Sequence, residues 1–193
     1  MSYKMKGKLI IISAPSGSGK TTIVNHLLHQ GLNLNFSVSA TSRKPRPGEE
    51  NGKNYYFLTR EEFQKKINND EFLEWEEVYK GICYGTLKSE VDKIRESGKN
   101  VIMDVDVVGG VNIKKIYGKE ALSIFVKPPS LTALKERLQK RSTETPAKIK
   151  MRIDKAAEEL LFAGKFDAVI INDNLQIALN EAEKLVSDFI SRH

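Results

Sequence analysis

Between the apolar run Leu9-Ile10-Ile11-Ile12 and a helical pattern with Ile23, Val24, Leu27 and Leu28 on one face stand the residues Ala14-Pro15-Ser16-Gly17-Ser18-Gly19-Lys20-Thr21. A strand, a glycine-rich turn and a helix in that order predict a phosphate-binding P-loop. A polyphosphate needs many short contacts around its oxygens. The loop must therefore turn tightly and let backbone N–H groups approach, which Gly17 and Gly19 allow. Lys20 would bring the mobile positive charge and Thr21 a hydroxyl for Mg²⁺. The helix starting near Gly19 would aim the positive end of its dipole at the phosphates. The binding stretch is taken as Ala14, Pro15, Ser16, Gly17, Ser18, Gly19, Lys20, Thr21 and Thr22. Ala14 stands where such loops usually begin with glycine. An ordinary Gly/Ser turn is the alternative, and the Lys-Thr pair in this context argues against it.

A chain of 193 residues, 40% hydrophobic and 29% charged, has room for one α/β core with a smaller inserted lobe. No apolar run approaches the roughly 20 residues that cross a bilayer. No secretory apolar region follows Met1-Ser2-Tyr3-Lys4-Met5-Lys6, so a cytoplasmic protein without a membrane partner is expected. The one cysteine, Cys83, excludes an internal disulfide and a Cys-based metal framework. A net charge of +6 suits an anionic partner, but 25 acids are mixed with the bases, so nucleotides, RNA or no partner fit equally. His26 and His29, at i,i+3 on the helix after the loop, read as surface residues, and His193 is the last residue.

Strands are predicted at Leu9–Ser13, Asn35–Ser39, Val101–Asp104, Leu122–Val126 and Ala168–Ile171, with helical patterns between most of them. Short apolar strands alternating with amphipathic helices imply a mostly parallel sheet covered on both faces. The last helix shows one apolar stripe: Leu175, Ala178, Leu179, Ala182, Leu185, Val186, Phe189 and Ile190. From about Ser39 to Glu90 the alternation stops, beginning with the loop Arg43-Lys44-Pro45-Arg46-Pro47-Gly48 and holding most of the aromatics. An inserted lobe at 39–90, with a core from 1–38 and 91–193, is the expected division. Arg141-Ser142-Thr143-Glu144-Thr145-Pro146 separates the helical patterns Leu131–Lys140 and Ala147–Leu161. With Arg137, Arg141 and Arg152 around it, a mobile lid over about 137–152 is expected, a plain connection being the alternative.

Val101-Ile102-Met103-Asp104 ends an apolar strand in a carboxylate, and Asp106 follows. Carboxyl ends of parallel strands converge on the ligand crevice, so both acids should lie beside the P-loop, near Mg²⁺ or the acceptor. For Asp106 the alternative is that it merely caps a helix starting at Val107.

These features, with Ser37-Val38-Ser39-Ala40-Thr41-Ser42-Arg43 through Glu49, Asn51-Gly52-Lys53-Asn54-Tyr55-Tyr56-Phe57, Glu71-Phe72-Leu73-Glu74-Trp75 and Tyr84-Gly85-Thr86, resemble the guanylate kinases from about Lys8 to the final helix. The resemblance implies a P-loop NTPase fold of three α/β/α layers, with an inserted α+β lobe for the nucleoside monophosphate and a helical lid. It implies Mg²⁺-dependent, reversible transfer of the ATP γ-phosphoryl group to GMP, within purine nucleotide metabolism and GMP recycling, with dGMP as a further acceptor. Ser39, Arg43, Arg46 and Tyr55 would hold the GMP phosphate with Tyr84 beside them, a clamp of guanidiniums and hydroxyls suited to a dianion. Glu74, Gly85 and Thr86, with Asp104 or Asp106, would serve the guanine; a carboxylate can accept from N1–H and the 2-amino group together. Lys20, Arg43, Arg137, Arg141 and Arg152 would be the catalytic cations, Arg137 near adenine and the last two over the transferring group. Thr21 would serve Mg²⁺, with Asp104 as second candidate.

Read singly, Arg43 and Arg46 could be solvated loop charges, Tyr55-Tyr56-Phe57 an ordinary strand, and Glu74 a surface residue next to a core Trp75. Ser142 after Arg141, where glycine is common, and a slightly long Trp75–Tyr84 segment depart from the family pattern. Three other functions compete. A phosphopeptide-binding scaffold module tends to lack the working P-loop found here, and a kinase for a ribose bisphosphate has no use for a guanine-reading Glu74. An RNA-binding NTPase lacks a basic-and-aromatic recognition element, so no nucleic-acid partner is expected. Oligomeric state is not legible in the sequence.

Overall fold

Ile10 and Ile12 face one way from the strand β1 (Leu9–Ser13), Leu9 and Ile11 the other, and all four are fully buried. A strand that is apolar on both sides must be covered on both sides, and it is the middle strand of five. In the computed structural model, which describes residues 6–141 and 145–192, β1 is flanked by β7 (Asn100–Asp104) and β8 (Ala121–Lys127). Next to β7 lies β2 (Leu34–Phe36), and next to β8 lies β9 (Ala168–Ile171). Every neighbouring pair is parallel. Helices α1 (Lys20–Leu28) and α7 (Leu175–Ser191) pack on the Ile10/Ile12 face through Ile23, Val24, Leu27, Ala178, Ala182 and Val186. Helices α3 (Lys88–Glu96) and α4 (Val107–Tyr117) cover the opposite face through Val91, Ile94 and Ile113. The result is the three-layer α/β/α arrangement of a P-loop NTPase.

A second sheet holds β3 (Ala40–Thr41), β4 (Tyr56–Phe57), β5 (Phe72–Tyr79) and β6 (Ile82–Leu87) in the order β4-β3-β6-β5. Only its β3/β4 pair is parallel. Helix α2 (Arg60–Asn68) opens with a capping box between Thr59 and Glu62 and docks by stacking Phe63 on Phe72, ring centroids 4.4 Å apart. Helices α5 (Leu131–Arg141) and α6 (Pro146–Leu160) pack on each other through Leu134, Leu138 and Ala156.

Three expectations are corrected. The predicted strand Asn35–Ser39 stops at Phe36: Ser37 N–H still donates to Ile102 O at 2.9 Å, but Ser39 O already accepts from Tyr56 N–H in the second sheet. Leu175 is exposed, because the stripe of α7 meets the core only from Ala178 onward. Trp75, offered as a core residue in the bland reading of Glu74, is 45% exposed while Glu74 is 9% exposed. The strand period of two puts them on opposite faces of β5.

Truncating Ile12→Ala in the fully buried middle strand is expected to lower the unfolding free energy by about 2–5 kcal/mol. Leu161→Ala, at a side chain 82% exposed, should stay within about 0.5 kcal/mol. Urea denaturation of the two variants with unchanged slope checks both.

Candidate active site

The loop after β1 is shaped by two glycines with positive φ, Gly17 at 92° and Gly19 at 96°, a conformation that L side chains rarely adopt. Ser18 N–H closes the turn on Pro15 O at 3.1 Å. A side chain would also have little room: a Cβ on Gly19 would stand 2.2 Å from Asn172 Nδ2, and one on Gly17 would press on Leu134 and Leu138 of α5. Ala14 has no such need. Its φ is not positive and its small side chain is buried, which explains why alanine is tolerated at the loop's first position. Lys20 then opens α1.

The register Ile12↔Asp104 sets the end of β7 beside this loop. Lys20 Nζ pairs with Asp104 Oδ1 and donates to Val105 O at 3.3 Å. Burial works against the ammonium, but the charge and hydrogen bond of Asp104, helped by Asp106 and Glu159, outweigh it and raise the Lys20 pKa. Asp106 caps α4, its Oδ1 accepting from Val108 N–H at 2.8 Å and Gly109 N–H at 3.0 Å. The capping role weighed for it is therefore real, yet the residue also lines the cleft.

That cleft, about 280 Å³, lies between the two sheets. Ala14, Ser16 and Lys20 form one wall, with Asp104 and Asp106 at the strand ends. Ser39, Tyr55, Glu74, Tyr84 and Gly85 face them from the second sheet. Helix α6 contributes Arg152, Lys155 and Glu159, and Arg152 Nη1 donates to Ser16 Oγ at 3.1 Å. Thr86 sits just behind the surface, its Oγ1 donating to Glu74 Oε1 at 2.7 Å. Burial is the chief reason that the Glu74 carboxyl is pushed up to about 7; the Thr86 hydrogen bond opposes it and the charge of Asp106 adds to it. Burial likewise raises the Tyr55 phenol and the Glu159 carboxyl.

Arg43 stands at the edge of this group. Its guanidinium forks onto Glu49, Nη1 to Oε2 at 2.6 Å and Nη2 to Oε1 at 2.7 Å, while Nε donates to Tyr84 Oη at 3.1 Å. The Tyr55 and Phe57 rings lie 5.0 and 5.5 Å from its centre. The Arg43 fork first, then Arg46 N–H, hold the Glu49 carboxyl down to about 2.

Not every candidate reaches the cleft. Arg46 is exposed, and its backbone N–H donates to Glu49 Oε2 at 2.7 Å. Thr21 is exposed and Thr22 half-buried on the first turn of α1, outside the cleft lining. Arg137 donates to Asn172 O at 2.8 Å, away from the second sheet. Pro15 and Ser18 belong to the loop, Ser18 with a buried hydroxyl that has no hydrogen-bond partner among the described residues. The side chain of Arg141, and Ser142 with its two successors, lie outside the described residues.

Sequence reasoning missed Glu49, Asn172, Lys155 and Glu159. Asn172 Nδ2 holds Ser18 O at 2.8 Å and so props the P-loop from the end of β9. The strand-end argument used for Asp104 applies to it equally. Lys155 and Glu159 follow Arg152 at i+3 and i+7, one face of α6.

A carboxyl raised to about 7 in the folded chain binds a proton that the unfolded chain has lost above its ordinary value near 4.5. Stability from this group is thus complete below about 4.5 and lost as the pH rises through 7. Glu74→Gln keeps an acceptor for Thr86 but does not titrate. The melting temperature of the parent minus that of Glu74→Gln should fall between pH 4.5 and 7.5; a flat difference would show that Glu74 titrates normally.

Comparison with known proteins accords with this geometry. The family model described as guanylate kinase matches residues 6–189. A guanylate kinase of Bacteroides thetaiotaomicron is 57% identical over 189 residues, covering 98% of this chain and 93% of the relative. One of Porphyromonas gingivalis is 53% identical, over 96% of this chain and 99% of its own. The crystal structure of guanylate kinase from Anaplasma phagocytophilum superposes with a TM-score of 0.79 at 28% identity, covering 97% of this chain and 88% of that one. A match that runs through both sheets and helices α5 and α6 at this identity shows that the chain belongs to the guanylate kinase family.

Proposed function

We propose that this chain transfers the γ-phosphoryl group of ATP reversibly to GMP, giving ADP and GDP, and so serves purine nucleotide metabolism and GMP recycling. The observation that carries the reading is one cleft with a P-loop lysine on one wall and the Glu74–Thr86 pair on the other. A phosphopeptide module would have no use for a half-buried, charge-paired Lys20 at the head of a P-loop helix. A ribose bisphosphate has no base edge for the buried Glu74. Both the P-loop wall and the Glu74 wall therefore support the kinase.

In this reading residues 14–22 hold the ATP phosphates. Lys20 leaves Asp104 for the transferring phosphoryl group, while Arg152 closes on it from α6 and Arg137 lies near the adenine. Arg141, next to residues outside the description, is assigned the same lid role as Arg152. Ser39, Arg43, Tyr55 and Tyr84 clamp the GMP phosphate, with Arg46 swinging in from solvent; Arg43 is already oriented by Glu49 and Tyr84. Glu74 as carboxylate accepts from guanine N1–H and the 2-amino group, with Gly85, Thr86 and Asp106 around the base. The GMP phosphate oxygen is anionic and needs no general base. What the protein supplies is alignment, charge neutralisation and exclusion of water as an inserted lobe at 39–90 and a lid over 137–152 close on the core.

For Mg²⁺ the chain offers hard oxygen donors, the Thr21 hydroxyl and the Asp104 carboxylate. Among the described residues there is no cluster of three or more His, Cys, Asp or Glu to hold a metal alone. Such a donor set suits an ion that binds mainly through substrate phosphates and water. Bound there, it would neutralise charge on the β- and γ-phosphate oxygens. The reading includes dGMP as acceptor, a cytoplasmic setting, and no nucleic-acid or membrane partner; among the described residues no helix is long and apolar enough to cross a membrane.

Coupled ADP production with ATP·Mg²⁺ and each of GMP, AMP, CMP and UMP tests it. GMP turnover that falls about 10²-fold or more in Lys20→Ala is expected, together with a collapse of guanine preference in Glu74→Ala. GMP binding without phosphorylation of any monophosphate would favour the binding module instead.

A further inference from the structure

Gly109 lies in the first turn of α4, with an ordinary helical backbone: its φ is not among the positive ones. Nothing in its conformation calls for glycine, and glycine within a helix is less favourable than alanine. The reason for it is found across the cleft. A Cβ built on Gly109 would stand 2.4 Å from Glu74 Oε2, 2.9 Å from Glu74 Cδ and 3.1 Å from Asp106 Oδ2, closer than real carbon atoms approach the first two. Glu74 belongs to the second sheet and Gly109 to a helix of the first. Their contact is therefore where the two halves of the cleft meet at the residue proposed to read the base.

Glu74 has few ways to yield. Its Oε1 is tied to Thr86 Oγ1 at 2.7 Å, and only 9% of the residue is exposed. A methyl group at position 109 would drive the carboxylate off its seat or turn it off Thr86. The end of a glutamate can move without unfolding a protein, so the loss would fall on recognition, not on the fold. Asp106, whose Oδ1 caps the same turn, keeps its other oxygen beside the same point and bounds the space from the helix side.

We infer that Gly109 is a specificity-determining position of the guanine pocket, its bare Cα being the seat that holds the Glu74 carboxylate in register with the base. The inference rests on the GMP reading above. It assigns the selectivity to a contact between the two sheets as well as to the residues that touch the nucleotide.

The test is Gly109→Ala, made in the parent chain and in Glu74→Gln, with kcat and KM measured for GMP, for IMP, which lacks the 2-amino group, and for ATP. The melting temperature is measured alongside. Expected in the parent background are a KM for GMP raised about tenfold or more, a smaller preference for GMP over IMP, and an unchanged KM for ATP. The melting temperature should be unchanged or higher. In the Glu74→Gln background the same substitution should alter the KM for GMP by less than about twofold, because the group it displaces no longer reads the base. An unaltered KM for GMP in Gly109→Ala, an equal effect in both backgrounds, or a fall in melting temperature with loss of every kinetic parameter would each overturn the inference. Failure of the parent chain to phosphorylate GMP would remove the kinase reading itself, a result distinct from GMP turnover that Gly109→Ala leaves untouched.

Discussion

The half-buried pair of Lys20 and Asp104 is the contact on which the rest of this structure depends. An ammonium partly withdrawn from water is costly unless a carboxylate meets it, and here the pairing outweighs the burial. The partner is not a neighbour in sequence. It arrives because β1 and β7 run parallel in a register that opposes Ile12 to Asp104, so that one strand ends in a loop lysine and the other in an acid. That register is set in turn by strands whose every side chain is buried, Leu9 to Ile12 and Val101 to Met103. The hydrophobic patterning of the core thus fixes the position of the charge in the cleft.

The opposite wall follows a different rule. In the second sheet the period of two along β5 turns Glu74 toward the cleft and Trp75 toward solvent. Thr86 on β6, opposite Glu74 in the ladder, supplies the hydrogen bond that makes a buried carboxyl tolerable. Arg43, Glu49 and Tyr84 form a second preorganised group beside it, held by a fork and two aromatic faces. Helices α5 and α6 both meet the P-loop wall: Leu134 and Leu138 lie against Gly17, and Arg152 reaches Ser16. Each wall is built from a separate sheet.

Much of this was legible in the sequence, and the reasons differ from place to place. The P-loop could be read because its chemistry is local: glycines, a lysine and a flanking strand and helix within a short span. The core strands β1, β7, β8 and β9 could be read because they are mostly apolar on both faces, whereas β2 ends three residues before Ser39, where the chain changes sheets. Asn172 and Glu49 escaped because their work is tertiary. Asn172 serves a loop 154 residues away, and Glu49 matters through the arginine it orients. Gly109 escaped for a related reason, since a glycine needed for a contact across the cleft looks in sequence like any other glycine at a helix start. Trp75 misled in the opposite sense, as a large aromatic suggests a core and strand alternation places it outside.

If the two walls serve one reaction, both nucleotides bind in a single cleft. Calorimetric titration with adenosine and guanosine joined 5′ to 5′ through five phosphates, followed by displacement with each nucleotide alone, tests this most directly. The account predicts one molecule bound per chain, displaced by ATP and by GMP alike. Binding displaced by ATP but indifferent to GMP, or two molecules bound per chain, would contradict it.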